Sequence, residues 1–313
     1  MKPIDACEIC RNKEITFLFG QKDKNLGIDK DFYLFRCENC KSIFLNPRPS
    51  PPDLIEHYSN EKYYSLKKID TDSKKLKMKM LLYKTYFDEK NKKNLLKIML
   101  SPLKFTSRGT KISPNSRLLD IGSGSGQFLY EMKTLGLDVY GVEPGNFDKE
   151  GNKKYNLKII NSDFIKVRYP REAFDIITMN HVLEHLNNPH ETLFKIKNIL
   201  KKKGLFILGV PNTNSLAYKI FGKNWYQLDV PRHLINYSDK NIRYLLEKNG
   251  FNILKIRYNS RPSQFVVSLY FLLGIKKRTG IFNKILEIIF LPLTWMVNLL
   301  KFGDQIEVFC GIN

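Results

Sequence analysis

Apolar runs and amphipathic stretches alternate along the chain from about residue 114 onward. The first apolar run ends at Gly122, and apolar residues then recur at helical spacing from Phe128 to Leu135. Six later apolar runs predict further strands at 137–145, 157–164, 174–179, 203–212, 251–260 and 304–312. This repeated alternation of strand and helix indicates an α/β fold with a mostly parallel sheet and right-handed crossovers.

The first 48 residues show the alternation of a short β-ribbon instead. Two C-x-x-C pairs, Cys7/Cys10 and Cys37/Cys40, flank this segment and are separated by 26 residues. Four thiolates at such spacing fit a structural zinc site, because they close the tetrahedron and leave no position for water. Two disulfides or four unrelated thiols are the alternative, which a reducing compartment disfavours. Cys310 lies in the last predicted strand and is expected to be a buried, inert thiol.

Composition and net charge indicate which class of partner the chain could bind. The 313 residues are 42% hydrophobic and 27% charged, which is typical of a globular chain with a full α/β core. The formal net charge of +21 indicates contact with phosphates or an anionic membrane surface, or else a Lys-rich bias spread over solvated faces. Lys residues concentrate at 65–84 and 90–97, where they interleave with Leu and Met as on a helical surface.

Three consecutive segments are predicted along the chain. Residues 1–48 form the zinc ribbon, and residues 49–113 form a helical linker or lid that begins after a Pro cluster. Its first short helix is expected to carry Tyr58, Tyr63 and Tyr64. Residues 114–313 form the main domain, which contains an apolar helical insertion at 261–303. The N-terminus lacks the apolar region of a signal peptide, so we expect a cytoplasmic protein.

The turn after the first strand of the main domain contains the principal ligand signal. Gly122, Gly124 and Gly126 let the backbone approach a ligand at a helix N-terminus. Gln127 stands where a dinucleotide fingerprint requires its third glycine, and Asp120 precedes the turn. A carboxylate there disfavours a pyrophosphate and favours a cationic amino-acid portion. The pattern therefore favours S-adenosylmethionine (SAM), which carries an ammonium and a sulfonium.

Two further carboxylates lie toward the ends of later predicted strands. Glu143 comes 23 residues after Asp120 and is placed to accept hydrogen bonds from ribose hydroxyls, and Asp163 is placed to accept from an adenine amino group. Ligands of parallel α/β sheets bind at the carboxyl ends of the strands, where all these groups fall.

The segments "LLDIGSGSGQFL", "VYGVEP", "SDF" and "FDIITMNHVLEHLNNP" resemble motifs I to IV of class I SAM-dependent methyltransferases. The variety resembled carries a Cys-rich N-terminal ribbon and is associated with bacterial surface-glycan synthesis; the chain is also distantly similar to quinone O-methyltransferases. The resemblance covers residues 115–258 and both Cys pairs. It implies a Rossmann-like sheet of seven strands, mostly parallel with the last strand antiparallel. The cofactor-binding residues it implies are Asp120, Gly122, Ser123, Gly124, Gly126, Glu143, Pro144, Asp163, Phe164, Asn180 and His181.

The string His181-Val-Leu-Glu184-His185 also matches the H-x-x-E-H signature of one class of zinc peptidases. That site requires both histidines on one helix, whereas here His181 is predicted at the end of a strand. Glu184 and His185 could instead bind a divalent cation, as the resemblance to quinone methyltransferases implies. Local packing of His185 and local hydrogen bonding of Glu184 are favoured over either metal interpretation.

The segment 224–251 is predicted to lie on the acceptor side. It carries Trp225, Asp229, Arg232 and His233 on a loop anchored by proline. His233 has a suitable intrinsic pKa for a general base, and His181 is the second catalytic candidate. The favoured alternative is that Arg232 and His233 brace the loop.

Two apolar runs, 264–275 and 285–300, form the insertion. The first is too short to span a membrane, and the second contains Glu287, Pro292 and Asn298. A helical hairpin packed over the core or a dimer partner is one alternative. The other, favoured by the net charge and Trp295, is a hairpin in an anionic leaflet with Lys276, Lys277 and Arg278 at the headgroups.

The predicted function is SAM-dependent O-methylation of a sugar, glycan or lipid-linked intermediate at the cytoplasmic membrane face. An RNA methyltransferase is one alternative, but the chain lacks the Asn/Asp-Pro-Pro-aromatic tetrad of base amino-group methylation; "VPNTNS" does not supply it. A non-catalytic binding protein with the same fold is the other. The acceptor and the oligomeric state are left unassigned.

Overall fold

A computed structural model of the chain describes residues 1–58, 68–87, 115–275 and 280–312. The strands are β1 Ile15–Asp23, β2 Ile28–Cys37, β3 Ile43–Leu45, β4 Arg117–Ile121, β5 Asp138–Val142, β6 Lys158–Ile160, β7 Phe174–Asn180, β8 Leu200–Pro211, β9 Ile235–Asn236, β10 Phe251–Tyr258 and β11 Gln305–Ile312. The helices are α1 Pro51–Tyr58, α2 Lys74–Phe87, α3 Gln127–Thr134, α4 Lys149–Lys154, α5 Pro189–Ile199, α6 Leu216–Phe221, α7 Asp239–Lys248, α8 Ser263–Leu272 and α9 Gly280–Leu299.

Seven strands form one sheet in the order β10-β11-β8-β7-β4-β5-β6. β4 pairs in parallel with β5 and β7, and β5 pairs in parallel with β6. All seven strands predicted from the apolar runs are present, and the last of them, β11, is inserted between β10 and β8. The predicted Rossmann-like, mostly parallel α/β sheet is confirmed.

A second sheet of four strands has the order β1-β2-β3-β9. β1 and β2 form the antiparallel hairpin expected of the ribbon, and β3 pairs with β2. The fourth strand, β9, comes from the segment predicted on the acceptor side, and it pairs with β3 through Ile43 and Asn236. The ribbon and the acceptor-side segment are therefore hydrogen-bonded in one sheet.

Two compact units account for the fold. The first comprises Met1–Asn60, His181–Leu193 and Gly209–Val308, and the second comprises Glu61–Asn180, Phe194–Leu208 and Phe309–Asn313. In the second unit, side chains of β4, β5 and α3 share one apolar core with α2, because each element buries one face there. These units follow spatial contacts rather than chain order, so the division into three consecutive segments stays a prediction.

Several predicted features can be located directly. α1 ends at Tyr58, whereas Tyr63 and Tyr64 lie outside the described residues, as do the run 90–97 and the basic triplet 276–278. α2 supplies part of the expected basic helical surface. Cys310 is fully buried in β11, as predicted. Among the described residues, α9 is the one helix whose length and composition would allow it to cross a membrane.

Candidate cofactor site and the acceptor-side polar cluster

The glycine turn between β4 and α3 needs glycine for its backbone conformation. Gly122, Gly124 and Gly126 have φ angles of 71°, 55° and 85°, in the left-handed region that only glycine adopts without strain. Gly141 on β5 meets the same turn, since a Cβ there would approach Ser123 Oγ to 2.8 Å. The turn is thus a tightly packed loop that leads into a helix, and the amides of Gly122, Ser123 and Gly126 are hydrogen-bonded to backbone carbonyls within the fold.

Glu143 ties this turn to the end of β5. Its Oε2 accepts a hydrogen bond from the Gly124 amide at 2.8 Å, and its Oε1 accepts one from the Gly145 amide at 2.9 Å. The carboxylate is buried, and each of its oxygens retains a second lone pair that a ligand hydroxyl can use. Asn161 supports this arrangement by donating to the Glu143 carbonyl at 2.9 Å.

Asp120 lies at the base of the turn and is completely buried. Its Oδ1 accepts a hydrogen bond from the Thr178 hydroxyl at 2.6 Å, which places a partner on β7 beside the carboxylate. A buried carboxylate is costly unless it is hydrogen-bonded, and the Thr178 hydroxyl supplies one such bond.

Asp163 differs from the prediction in its local structure. β6 ends at Ile160, and Asp163 instead caps a short 3-10 helix, Phe164–Lys166, by accepting a hydrogen bond from the Ile165 amide at 3.1 Å. The Asp163 side chain is exposed, and Phe164 is buried with the Lys195 ammonium 4.7 Å from its ring centre. Pro144 is exposed next to Glu143, and Asn180 is the last residue of β7.

The residues of the second unit fit SAM as a ligand. The turn lets a ligand approach its backbone closely, Asp120 places a buried carboxyl group at its base, and Glu143 offers carboxylate oxygens to ribose hydroxyls. Glu143 and Gly124 are in direct contact, and Ser123 packs beside them. Their roles toward SAM stay predictions.

The H-x-x-E-H string does not form a single helix. His181 follows β7 with a φ of 55°, and Leu183–His185 forms a separate 3-10 turn. The two histidines are therefore not spaced on one helical face, as the sequence predicted, and the geometry of a zinc peptidase is missing from this stretch.

His181 is held from both sides of its ring. Its Nδ1 lies 3.1 Å from Glu184 Oε1, and its Nε2 lies 2.8 Å from Gln305 Nε2. Burial disfavours the charged form of Glu184, but hydrogen bonding from His181, reinforced electrostatically by the imidazoles of His181, His233 and His185, outweighs it and lowers the Glu184 pKa. An ionised carboxylate only accepts, so the neutral His181 ring carries its proton on Nδ1 and accepts from the Gln305 amide at Nε2.

His185 and His233 lie edge to face beside Glu184. Their ring centres are 4.8 Å apart, His185 Nδ1 donates to the Arg232 carbonyl at 2.8 Å, and His233 Nδ1 donates to the Gln227 carbonyl at 2.7 Å. Burial, reinforced by the nearby His185, lowers the pKa of His233 to about 4. His233 is thus a neutral ring at neutral pH.

Glu184, His185 and His233 form a set that could hold a cation. One ligand atom from each lies within 4.8 Å of the others. The sequence suggested only the pair Glu184 and His185; His233, which is 48 residues further along the chain, completes a His/His/carboxylate set of the kind that binds divalent transition metals.

Arg232 forms the centre of a buried ion network. Its guanidinium donates to Asp23 at 2.7 and 3.1 Å and to Asp229 at 2.6 Å, while Asp23 also contacts His57 Nδ1 at 2.7 Å. Although burial opposes ionisation, the hydrogen bond from Arg232 and the charges of His233 and Arg232 lower the Asp229 pKa to about 2. This network has the form that the brace alternative describes, since it fastens the loop to β1 and α1.

Comparison with known proteins decides the family. A model described as a methyltransferase domain matches residues 87–256, which is more than half of the chain. The chain belongs to the methyltransferase domain family. The match includes every residue from Asp120 to His233 that was singled out above.

Curated relatives of this methyltransferase have partial matches. A ubiquinone biosynthesis O-methyltransferase from Glaesserella parasuis is 30% identical over 155 residues, covering 45% of this chain and 66% of the relative. One from Pelagibacter ubique is 29% identical over 164 residues, covering 45% and 67%. The chain thus spans about two thirds of these relatives' length. A solved SAM-dependent methyltransferase from Thermotoga maritima is 17% identical, with a TM-score of 0.46, covering 76% of this chain and 94% of that one.

The four cysteines of the methyltransferase's ribbon come together as predicted. Their sulfurs lie within 4.8 Å of one another, with Cys7 and Cys40 at 3.6 Å and Cys10 and Cys37 at 3.4 Å. All four are free thiols, which disfavours the disulfide alternative. Sulfurs bound to zinc at about 2.3 Å in a tetrahedron are about 3.8 Å apart, so the set fits zinc with a small adjustment.

We call His181, Glu184, His185, Asp229, Arg232 and His233 the acceptor-side cluster. Sequence reasoning missed three residues that the fold brings to this cluster of the methyltransferase. Asp23 and His57 bind Arg232 and each other, and Gln305 binds His181. Asp23 stands in a β-hairpin and Gln305 at the start of β11, where polar residues are ordinary. Their separation along the chain, 124 residues for Gln305 and His181, left no local pattern that could have identified them.

Proposed function

We propose that this methyltransferase uses SAM to O-methylate a hydroxyl of a sugar, glycan or lipid-linked small-molecule intermediate. The observation that carries the proposal is the glycine turn locked to Glu143, with the Gly124 amide 2.8 Å from the carboxylate and Asp120 buried beneath. Family membership supports methyl transfer, and the names of the curated relatives support oxygen as the acceptor atom.

The second unit would hold SAM through the glycine turn, Asp120 and Glu143. When bound, SAM supplies an electrophilic methyl group on a sulfonium. The buried Asp120 carboxylate favours the ammonium end, and the Glu143 oxygens favour the ribose hydroxyls. Fixed orientation of the reactants accounts for most of the rate in such a displacement.

His181 is the general base that we infer for a hydroxyl acceptor. The ionised Glu184 keeps the His181 proton on Nδ1, which leaves the Nε2 lone pair available. As the methyl–sulfur bond breaks and the acceptor oxygen gains the methyl group, the acceptor O–H bond would break and its proton would pass to His181 Nε2, so that the sulfur would leave as a neutral thioether. Glu184 stabilises the resulting imidazolium, and Gln305 occupies that nitrogen until an acceptor replaces it.

His233 has a different part in this proposal. Burial and a pKa near 4 make it a weak base at neutral pH, and its Nδ1 is occupied by the Gln227 carbonyl. We therefore propose that His233 braces the loop. The prediction that His233 acts as the general base is the first competing hypothesis. A divalent cation held by Glu184, His185 and His233 is the second competitor, because it would use the same carboxylate.

We further propose that Cys7, Cys10, Cys37 and Cys40 hold one structural zinc ion. The four free thiols converge, and β1–β3 form a small sheet around them. Four thiolate ligands leave no coordination position for a substrate, so this ion contributes stability rather than chemistry.

Transfer of a labelled methyl group from SAM tests the proposal. The purified protein is incubated with lipid and water-soluble fractions of a cell extract and with RNA, and label is expected in the lipid or glycan fraction. Label in RNA alone would favour the nucleic-acid alternative. Failure to bind SAM by calorimetry would favour the non-catalytic alternative.

Variants of His181 and His233 distinguish the roles proposed for these two histidines. We expect His181→Ala to lower kcat by roughly 100- to 1,000-fold without changing SAM affinity, since a positioned base contributes about that much. His190→Gln is the matched control, because His190 binds Ile9 and Asn249 outside the cluster. A larger kcat loss in His233→Gln than in His181→Ala would instead support His233 as the base. Loss of activity on chelation, restored by a divalent cation, would support the cation.

A further inference from the structure

The outer face of α9 is an unusually large apolar surface. Its large side chains are between 36% and 82% exposed, and they are Ile281, Phe282, Ile285, Ile288, Ile289, Leu291, Trp295, Met296 and Leu299. The end of α8 adds Leu272 and Leu273, which are 52% and 60% exposed. A contiguous apolar face of this kind marks a surface that meets another molecule or a membrane.

The inner face of α9 is fastened to its own unit along the whole helix. Near its start, Asn283 accepts a hydrogen bond from the Tyr270 hydroxyl at 2.6 Å. In the middle, Phe290 stacks on Phe265 with ring centres 5.3 Å apart.

The end of α9 is fastened as well. Asn298 accepts from the Ser260 amide at 3.0 Å and donates to the Ser260 carbonyl at 3.1 Å. A helix that lies along its own protein from start to end presents one side outward. That geometry suits a helix lying in a bilayer surface rather than one crossing the bilayer.

Basic residues adjoin α9 at both ends along the chain. The triplet Lys276-Lys277-Arg278 precedes α9 in the sequence, and Lys301 follows it directly after the exposed Leu299 and Leu300. Lys219 lies near the same end, with its ammonium 4.7 Å from the ring centre of Phe302.

Lys301 also lines an open cavity of about 330 Å³ with two other cations, Lys240 and Arg243. The single carboxylate of this cavity, Asp239, accepts a hydrogen bond from the Tyr258 hydroxyl at 2.9 Å. Arg243 also pairs with Glu247 at 3.6 Å, so the three cations outnumber the two carboxylates around them by one, and this positive charge favours an anion such as a lipid phosphate.

We propose that the outer face of α9, with the end of α8, docks on the surface of an anionic lipid bilayer. The apolar side chains enter the acyl boundary, Trp295 lies at the interface, and Lys240, Arg243 and Lys301 bind lipid phosphates. A second copy of the chain is the less favourable occupant, because two chains of formal net charge +21 repel each other. This inference extends the proposed function to acceptors that reside in the membrane.

Vesicle flotation tests the docking surface without any methyl transfer, so either proposal can fail without the other. The full chain is mixed with vesicles of phosphatidylcholine alone or with added phosphatidylglycerol. We expect binding to the anionic vesicles that weakens with salt. Ile288→Gln combined with Trp295→Gln should weaken binding roughly 100-fold, since two large apolar side chains no longer enter the bilayer. Both are exposed, so the fold is retained.

Matched variants complete the test. Phe194→Gln with Leu254→Gln removes two equally exposed apolar side chains outside α8 and α9 and should leave binding unchanged. Arg243→Ala with Lys301→Ala should weaken binding to anionic vesicles roughly ten-fold, whereas Lys202→Ala with Lys203→Ala should have little effect. Equal binding by the wild type and the Ile288/Trp295 variant would overturn the proposal. So would sedimentation showing a dimer that this variant dissociates, or resistance of the membrane-bound protein to alkaline extraction.

Discussion

The cofactor turn and the acceptor-side cluster are built in opposite ways. The turn and Glu143 come from one strand–turn–helix and the next strand, so Gly124 and its partner Glu143 are 19 residues apart. The cluster around Arg232 joins residues up to 209 positions apart, because Asp23 belongs to the N-terminal hairpin. The geometry of a site formed by a local motif depends on a few backbone conformations. The geometry of a site formed by distant segments depends on the whole unit remaining folded.

Removing Arg232 should give the largest effect and test the dependence of the cluster on global folding. Arg232→Ala leaves the buried Asp23 and the partly buried Asp229 without their cation, which should lower the free energy of unfolding by about 3–5 kcal/mol. Denaturant unfolding measures this change. Arg243→Ala is the control, since its ion pair with Glu247 is on the surface and contributes at most about 1 kcal/mol. Equal losses in the two variants would mean that the network is not stabilising the unit.

The sequence predicted the turn better than the cluster for the same reason. The signal for the turn is local in the sequence. Predicted strands end at or beside Asp120, the glycine turn and Glu143, and the structure places these residues at the corresponding strand ends. The cysteine pairs were equally accessible, since each C-x-x-C is a local signal. The partners of Arg232 and His181 depend on β9 joining the ribbon sheet and on β11 entering the large sheet, and neither pairing has a local signature. Asp163 was placed at a strand end because the apolar run 157–160 gave no sign of the 3-10 turn that follows.

Acidification should destabilise the acceptor-side cluster through His233. The pKa of His233 falls from 6.5 to about 4 in the folded protein, so the unfolded chain takes up this proton first as the pH decreases. The contribution of neutral His233 is therefore complete above pH 6.5 and is lost progressively toward pH 4, by about 3 kcal/mol in total. Unfolding free energies of the wild type and His233→Gln across this range measure it. A difference between the two proteins that stays constant with pH would contradict the assignment.

At the turn, Glu143→Ala should weaken SAM binding roughly 30-fold. The two carboxylate oxygens proposed to accept from the ribose hydroxyls are lost, and each such hydrogen bond contributes about 1 kcal/mol. Calorimetry gives the affinity, and the exposed Glu150→Ala is the matched control. The amides of Gly124 and Gly145 also lose their acceptor, so the unfolding free energy should fall by about 2 kcal/mol, less than in Arg232→Ala. A loss of stability as large as that of Arg232→Ala would show that the turn is not the local structure described above.

The smallest predicted change in stability distinguishes backbone strain from steric crowding at the turn. Gly126 and Gly136 both have left-handed φ angles, 85° and 95°, so an alanine at either position costs about 1 kcal/mol in strain. A Cβ at Gly136 meets nothing within 4 Å, whereas one at Gly126 would contact Asn152, Ile159 and Leu157. We therefore expect Gly126→Ala to lower the unfolding free energy by about 1 kcal/mol more than Gly136→Ala. Equal losses would mean that α4 and β6 yield to the new methyl group, and that the turn is held by its φ angles and by Glu143 rather than by packing.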